Sequence, residues 1–402
     1  MSVTDIKEKG LEALIVDWLV THNGYEQGDN SDYNRDYAVD ETRLFRFLSA
    51  TQPDEMEKLG VFKSALKKAQ FLDRLRGEIA KRGIIDVLRN GMKIYPADLV
   101  MFYLTPSERN PKAKALFEQN IFSVTRQLQY SKDATRLALD LCIFINGLPI
   151  ITCELKNQLT KQDVNDAVYQ YQKDRDPKEL LFQFKRCMVH LAVDDARIKF
   201  CSKLEGMDSW FLPFDKGYND GAGNPPNPDG LMTDYLWKTI LVKYMLARII
   251  ENYAQVVEET DPETKKKKSK QIFPRYHQLS VVENLLSDVS QNGVGKKYLI
   301  QHSAGSGKSN SIAWLAHQLI GLEKDGKAII DSVLVVTDRV ILDKQIRDTI
   351  KQFKGITRSP RSYLEYNDWS QLSNLAIWDC VRSLSSRRSL IRSFIYPSPK
   401  IF

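Results

Sequence analysis

Leu137-Ala138-Leu139-Asp140-Leu141-Cys142-Ile143-Phe144-Ile145-Asn146-Gly147-Leu148-Pro149-Ile150-Ile151-Thr152-Cys153-Glu154-Leu155-Lys156 carries the architecture of this chain. Two apolar, β-branched runs flank Asn146-Gly147, which is a strong hairpin signal. Asp140 stands inside the first run, and a carboxylate in a strand of that character needs a partner, a metal or a cleft. Glu154 and Lys156 end the second run and alternate onto one face. Two carboxylates can hold Mg²⁺ by oxygen ligation, and such a metal activates water and stabilises charge on a scissile phosphate. A lysine alongside orients the water or the developing charge.

Register decides whether Asp140 and Glu154 can meet. A two-residue turn pairing Ile145 with Leu148 sets Asp140 opposite Cys153 and leaves Glu154 on the other face. A three-residue loop pairing Phe144 with Leu148 sets Asp140 opposite Thr152 and diagonal to Glu154, on the same face. The chemistry therefore predicts the odd loop or an equivalent bulge. Taken alone, Glu-x-Lys also fits a surface ion pair at a strand end.

Around this hairpin the chain reads as α/β. Helical periodicity covers 5–20, 41–50, 56–90 and 161–175. Further strands are expected at Asp98–Tyr103, Ile121–Tyr130, Met188–Val193 and Ile198–Cys201. The Gly- and Pro-rich stretch 219–230 is a loop, and Tyr235–Ala254 reads as one helix. Residues 258–270 place acids before Lys265-Lys266-Lys267-Lys268 and read as a solvated linker.

The bulk composition sets limits. The chain has 402 residues, is 43% apolar and 27% charged, and carries a formal net charge of +7, which permits a polyanionic partner without demanding one. Five scattered cysteines form no C-x-x-C, so a reducing cytoplasm is expected, with neither a disulfide framework nor a zinc site. No apolar run is long enough to span a membrane. The polar N-terminus is no signal peptide.

A second constellation is Gln301-His302-Ser303-Ala304-Gly305-Ser306-Gly307-Lys308-Ser309, between the apolar run Tyr298-Leu299-Ile300 and a helical pattern. Its glycines let backbone N–H groups converge on phosphate oxygens at a helix N-terminus. Lys308 is expected to reach the β/γ-phosphates of ATP and Ser309 its Mg²⁺. His302 stands where the strict motif has its first glycine.

Three elements together resemble a known family. Asp140…Glu154-x-Lys156 resembles a PD-(D/E)xK nuclease core. Arg275-Tyr276-His277-Gln278-Leu279 resembles the adenine-reading motif of superfamily 2 helicases. Thr337-Asp338-Arg339-Val340-Ile341-Leu342-Asp343-Lys344-Gln345 resembles the strand-loop after the first ATPase helix. Nuclease first and helicase second is the order in the R subunit of type I restriction–modification enzymes. Asp174-Arg175-Asp176-Pro177, Phe211-Leu212-Pro213-Phe214 and the 223–228 loop are similar to that family too.

The resemblance implies a PD-(D/E)xK nuclease-like mixed sheet flanked by helices, followed by the beginning of a RecA-like P-loop domain. It implies Asp140 and Glu154 as metal ligands, Lys156 as the catalytic lysine, and Glu12 as a further acidic position. Gln170 and Tyr171 lie in the region of the family's Gln-x-x-x-Tyr element at a different spacing. Gln278 is implied to contact adenine, and Gly305, Gly307, Lys308 and Ser309 to hold ATP and Mg²⁺. The implied partners are double-stranded DNA and the methyltransferase (M) and specificity (S) subunits, in a bacterial or archaeal cytoplasm. The implied activity is Mg²⁺-dependent cleavage of double-stranded DNA, coupled in full-length relatives to ATP-driven translocation.

The expected domains are a nuclease domain (1–255), a charged linker (256–272), a partial ATPase domain (273–354) and an atypical Ser- and Arg-rich tail (355–402), read as a frameshift or truncation. Two other readings stay open: a non-catalytic fragment that binds DNA or partner subunits, and a stand-alone helicase with a degenerate nuclease domain. No Asp-Glu pair follows Ser309 in the sequence, and hydrolysis by such motors uses that carboxylate. The chain is expected to bind nucleotide weakly and not to turn it over. DNA-stimulated phosphate release that disappears in Lys308→Ala would contradict this.

Overall fold

The computed structural model describes residues 8–106, 110–157, 161–260, 264, 266–303, 305–324, 327–330, 333–335, 346–350 and 392–393. It divides into two units, Met1–Tyr276 and His277–Phe402. In chain order the first unit runs α1 (Glu8–Thr21), β1 (Glu26–Gly28), β2 (Tyr33–Asn34), β3 (Val39–Asp40), α2 (Glu41–Thr51), α3 (Pro53–Leu59), α4 (Ala65–Arg82), α5 (Ile84–Asn90), β4 (Met92–Ile94) and β5 (Ala97–Leu99). It continues with α6 (Pro111–Glu118), β6 (Phe122–Gln129), β7 (Ala138–Ile145), β8 (Leu148–Leu155), α7 (Val164–Asp174), β9 (Val189–Val193), β10 (Ile198–Cys201), β11 (Leu212–Pro213), α8 (Lys243–Arg248), β12 (Gln255–Thr260) and β13 (Lys267–Ile272).

Seven strands form one mixed sheet in the order β1-β6-β7-β8-β9-β10-β11. The β1/β6 and β8/β9 pairs are parallel and the others antiparallel. Central β8 is buried at every position, as expected of a strand covered on both faces. The crossover from β8 to β9 is α7. Asp163 caps that helix, accepting from the backbone of Asn165 and Asp166, and Val164, Ala167 and Tyr171 form its buried stripe. Tyr171 joins Phe144, Leu139, Leu128 and Phe182 in the core.

The β7–β8 hairpin combines a tight turn with a bulge. Ile145 pairs with Leu148 and Phe144 with Pro149, but Ile143 pairs with Ile151, so Ile150 is an extra residue on β8. Asn146 and Gly147 take φ values of +50° and +77°, the signature of a two-residue primed turn. The expectation of an odd loop or a bulge thus resolves as the bulge. Asp140 falls directly across from Glu154, not diagonally, because Leu141 pairs with Cys153. Pro149 offers no ladder N–H and sits beside the bulge, where a strand tolerates proline.

Several expectations are corrected. The segment 256–272, expected as a linker, holds the β12–β13 hairpin. Its acidic strand faces its basic strand, Glu259 opposite Lys268, with Lys267 3.1 Å from Glu258 and Lys270 3.9 Å from Glu259. Gln271 Nε2 donates to the carbonyls of Cys187 and Met188, both at 2.8 Å, and so ties the hairpin to the first unit.

Tyr235–Ala254 is no single α-helix. Two π-type turns, Leu236–Ile240 and Ile249–Tyr253, flank α8, and Arg89 Nε donates to the Ile250 carbonyl at 2.5 Å. The helical region 56–90 breaks at Gly60 and Gly83, and the strand expected at Asp98–Tyr103 is only β5. The four described cysteines are free and buried. Among the described residues no helix is long and apolar enough to cross a membrane.

The second unit contains α9 (Tyr276–Asn292, beginning one residue before the boundary) and α10 (Lys308–Leu319). The apolar run Tyr298–Ile300 is not a strand, and Leu299 is 83% exposed. A parallel strand forms only between hydrogen-bonded neighbours, and the described strands of this unit are pairs of two residues each. Thr337–Gln345 and, apart from Arg392 and Ser393, the tail 355–402 lie outside the described residues.

A side chain at Gly147 would set its Cβ 2.3 Å from the Asp40 carbonyl and 2.5 Å from the Leu44 amide, at a φ that L-residues resist. Gly147→Ala is expected to lower folding stability by more than about 2 kcal/mol, measured by urea denaturation. An unchanged midpoint would show that the turn is not seated as described.

Candidate functional site

The bulge brings Asp140 and Glu154 onto one face of neighbouring strands. Asp140 Oδ2 accepts from the Leu155 amide at 2.7 Å. Glu154 is fully buried, and its Oε1 accepts from Arg175 Nε at 2.5 Å. Arg175 directly follows α7 and is itself buried. Its Nη2 donates to the Ala138 carbonyl at 2.8 Å and its Nη1 to the Tyr130 hydroxyl at 3.2 Å. Glu154 Oε2 is buried with no hydrogen-bond partner.

Burial, reinforced by the neighbouring Asp140 charge, pushes the Glu154 carboxyl up to about 8, against the pull of Arg175 and Lys156. Arg175 stays charged, raised by Glu154. Lys156 is buried just past the end of β8, where its amide donates to the Val193 carbonyl at 2.8 Å. The charges of Asp140 and Lys156 both act on the Glu154 carboxyl.

On the other side of Asp140 stands a third carboxylate. Glu12 of α1 is buried. It accepts from Arg126 Nε at Oε1 and from Gln127 Nε2 at Oε2, the latter at 2.7 Å. Gln127 Nε2 also donates to Asp140 Oδ1 at 3.2 Å. The Tyr171 hydroxyl bonds Thr152 Oγ1 at 2.8 Å, near enough to Glu154 to feel its charge, and Thr152 Oγ1 bonds His190 Nδ1 at 2.7 Å. Burial lowers His190 to about 3, so this row is neutral. Gln170 is half-buried on the same helix.

Arg175, Arg126 and Gln127 escaped the sequence reading. Arg175 hides in a charged Asp-Arg-Asp run that looks solvated, and the one available sign was its place in a family-like flank.

Among the described residues no group of three or more His, Cys, Asp or Glu side chains is arranged to hold a metal. The Asp140–Glu154 pair nevertheless suits a hard, oxygen-seeking divalent cation. A buried carboxylate oxygen without a donor is an uncompensated cost that a cation removes, and Glu154 Oε2 is such an atom.

In the second unit Gly305 and Gly307 take φ of +74° and +81°, and Lys308 opens α10. Lys308 Nζ donates to the carbonyls of His302 at 3.0 Å and Ser303 at 2.8 Å, folding back across the loop. Gln278 is buried, and its Nε2 donates to the Gly307 carbonyl at 2.8 Å. His277 Nε2 lies 3.1 Å from the Ser306 carbonyl. A Cβ on Gly307 would come within 2.4 Å of Gln278 Nε2. Gln278 thus braces the loop carrying Gly305 and Gly307, and Ser309 follows in the first helical turn.

The Glu154 shift has a signed consequence. Its carboxyl titrates near 8 in the fold against an ordinary 4.5, so between those values the folded chain keeps a proton that the unfolded chain has released. That contribution to stability is complete below about pH 4.5 and is lost as pH rises through about 8. In chelator, the melting temperature should fall less steeply between pH 5 and 8.5 in Glu154→Gln than in the wild type. Identical slopes would contradict the assignment. Arg175→Met should lower stability by about 1–3 kcal/mol, because Glu154 Oε1, the Ala138 carbonyl and the Tyr130 hydroxyl lose their donor while Glu154 itself stays protonated at neutral pH.

A family model described as type I restriction enzyme R protein N terminus matches residues 5–209, and one described as SWI2/SNF2 ATPase matches residues 277–374. The chain is 24% identical over 341 residues to the type I restriction enzyme SsaAORF53P endonuclease subunit of Staphylococcus saprophyticus, covering 80% of this chain and 33% of that protein. It is 24% identical over 254 residues to the HindI endonuclease subunit of Haemophilus influenzae (62% and 23%). It is 25% identical over 236 residues to the SauCOLORF180P endonuclease subunit of Staphylococcus aureus (58% and 23%). The matched region spans a third or less of these relatives' length. By the match over residues 5–209, the chain belongs to the type I restriction enzyme R protein family.

Proposed function

We propose that the first unit hydrolyses phosphodiester bonds of double-stranded DNA in a PD-(D/E)xK nuclease site, with Asp140 and Glu154 holding Mg²⁺ and Lys156 as the catalytic lysine. The observation that carries this reading is the buried, donor-less Glu154 Oε2 directly across the sheet from Asp140. When bound, the cation would supply Lewis acidity to the phosphate and a more acidic water. The chain's own groups do the rest. Asp140 is held by the Leu155 amide. Arg175 fixes one oxygen of Glu154 and leaves the other for the ligand. Lys156 places a fixed positive charge beside the carboxylates, where charge develops on the phosphate.

The second unit we assign to ATP binding on a RecA-like domain. Gly305, Gly307, Lys308 and Ser309 hold the phosphates and their Mg²⁺ once Lys308 Nζ leaves the His302 and Ser303 carbonyls, and Gln278 lies beside the loop on the adenine side. The family relationship supports restriction as the setting, with the M and S subunits supplying the recognition site and a complete motor supplying translocation.

The first unit's triplet is local, so slow, sequence-independent nicking is expected without those partners. Positioning of the duplex is not local, and its loss forfeits several kcal/mol of orientation advantage. Supercoiled plasmid with Mg²⁺ or Mn²⁺ should be nicked by the wild type and not by Asp140→Ala or Lys156→Ala. Equal nicking by all three proteins would refute the assignment and favour a binding role.

A further inference from the structure

Gln127 is the one residue of the site whose backbone conformation needs an explanation. It lies within β6 at φ +46°. Its neighbours keep the ladder, Arg126 opposite Leu141 and Leu128 opposite Leu139, while the pair between them, Gln127 and Asp140, is missing from it. No turn occurs there that would call for a left-handed residue. Such strain persists where surrounding groups over-determine it, and it gathers at functional sites.

The contacts show what the strained backbone achieves. Gln127 Nε2 donates to Glu12 Oε2 at 2.7 Å and to Asp140 Oδ1 at 3.2 Å. Arg126 Nε donates to the other oxygen, Glu12 Oε1. Both Glu12 oxygens are therefore engaged by donors, whereas Glu154 Oε2 has none. One carboxylate is closed and the other open, with Asp140 between them.

We propose that Gln127 is a positioning residue for the cation site: its carboxamide ties Asp140 to the buried Glu12, fills the Glu12 side of Asp140, and so directs a single divalent cation to the Asp140–Glu154 side. This rests on the nuclease reading. Glu12 acts through Gln127 and does not touch the cation. Outer contacts of this kind typically set metal affinity by about 10–100-fold.

The test uses the full chain and Mn²⁺, read as bound ion by electron paramagnetic resonance, with the melting temperature of the metal-free protein measured alongside. The wild type should take up one Mn²⁺, lost in Asp140→Asn. Gln127→Gly relieves the left-handed backbone and removes the amide. In a Glu12→Gln background, which leaves no buried carboxylate stranded, it should keep the metal-free melting temperature while Mn²⁺ binding weakens about 10–100-fold. Gln127→Leu should show the same weakening.

Wild-type affinity in Gln127→Gly overturns the proposal. So does a lower melting temperature accompanying the lost binding in the Glu12→Gln background, which marks a structural role. So does a second wild-type Mn²⁺ that disappears in Glu12→Gln. Mn²⁺ uptake indifferent to Asp140→Asn in every variant overturns the nuclease reading as well.

Discussion

A β-strand has two faces, and a slip of one residue exchanges them. That constraint governs this site. With the two-residue turn at Asn146-Gly147 and no irregularity, Asp140 and Glu154 would point to opposite sides of the sheet. The extra residue Ile150 restores the match. The tight turn and the same-face carboxylates then coexist, and neither the helices nor the flanking strands must adjust. The turn itself is fixed from outside the hairpin: Asn146 Oδ1 accepts from the Ile121 amide at 2.7 Å, and the Gly147 carbonyl accepts from the Asp40 amide at 2.8 Å.

Around that geometry the charges are distributed unequally. Glu154 is countered by one buried guanidinium, Glu12 by another guanidinium and an amide, and Asp140 by the amides of Leu155 and Gln127. Burial favours the neutral form of a carboxyl, and Glu154 carries a large upward shift together with an open oxygen. The site is thus asymmetric before any ligand arrives. The deeply buried Glu154 is also the carboxyl with an oxygen that no donor engages.

Much of this was legible in the sequence. The strands β6 to β8, β9 and β10 followed from alternating or continuous apolar runs, and α1, α2 and α7 from apolar periodicity. That Asp140 and Glu154 share a face followed from a carboxylate misplaced in an apolar strand and from the register it demands. What was not legible depends on partners distant in the chain. Arg175 looks like a solvated charge until the β7 carbonyl of Ala138 and the Tyr130 hydroxyl surround it.

The π-type turn at Ile249–Tyr253 draws on Arg89, far upstream. Lys267 and Lys268, read as linker, open a strand because acids lie on the strand beside them. Tyr298–Ile300 has the composition of a strand but no strand beside it among the described residues. Pro149 was the one local sign of the bulge, since proline in a central strand needs an interruption.

The connectivity of the sheet also orders the assembly of the site in time. The β6–β7–β8 meander joins neighbours in sequence, and closing short loops costs little chain entropy. Pairing Glu26 of β1 with Ser123 of β6, or docking α1 and the residue after α7 onto the sheet, closes much longer loops and belongs to the slower part of folding. Asp140 and Glu154 therefore come face to face in the earliest local structure. Arg175 and Glu12 reach them later, so the newborn hairpin holds its two acids in water, where ionisation is cheap. By contact order, an open, solvated version of the carboxylate pair is expected to precede the buried one.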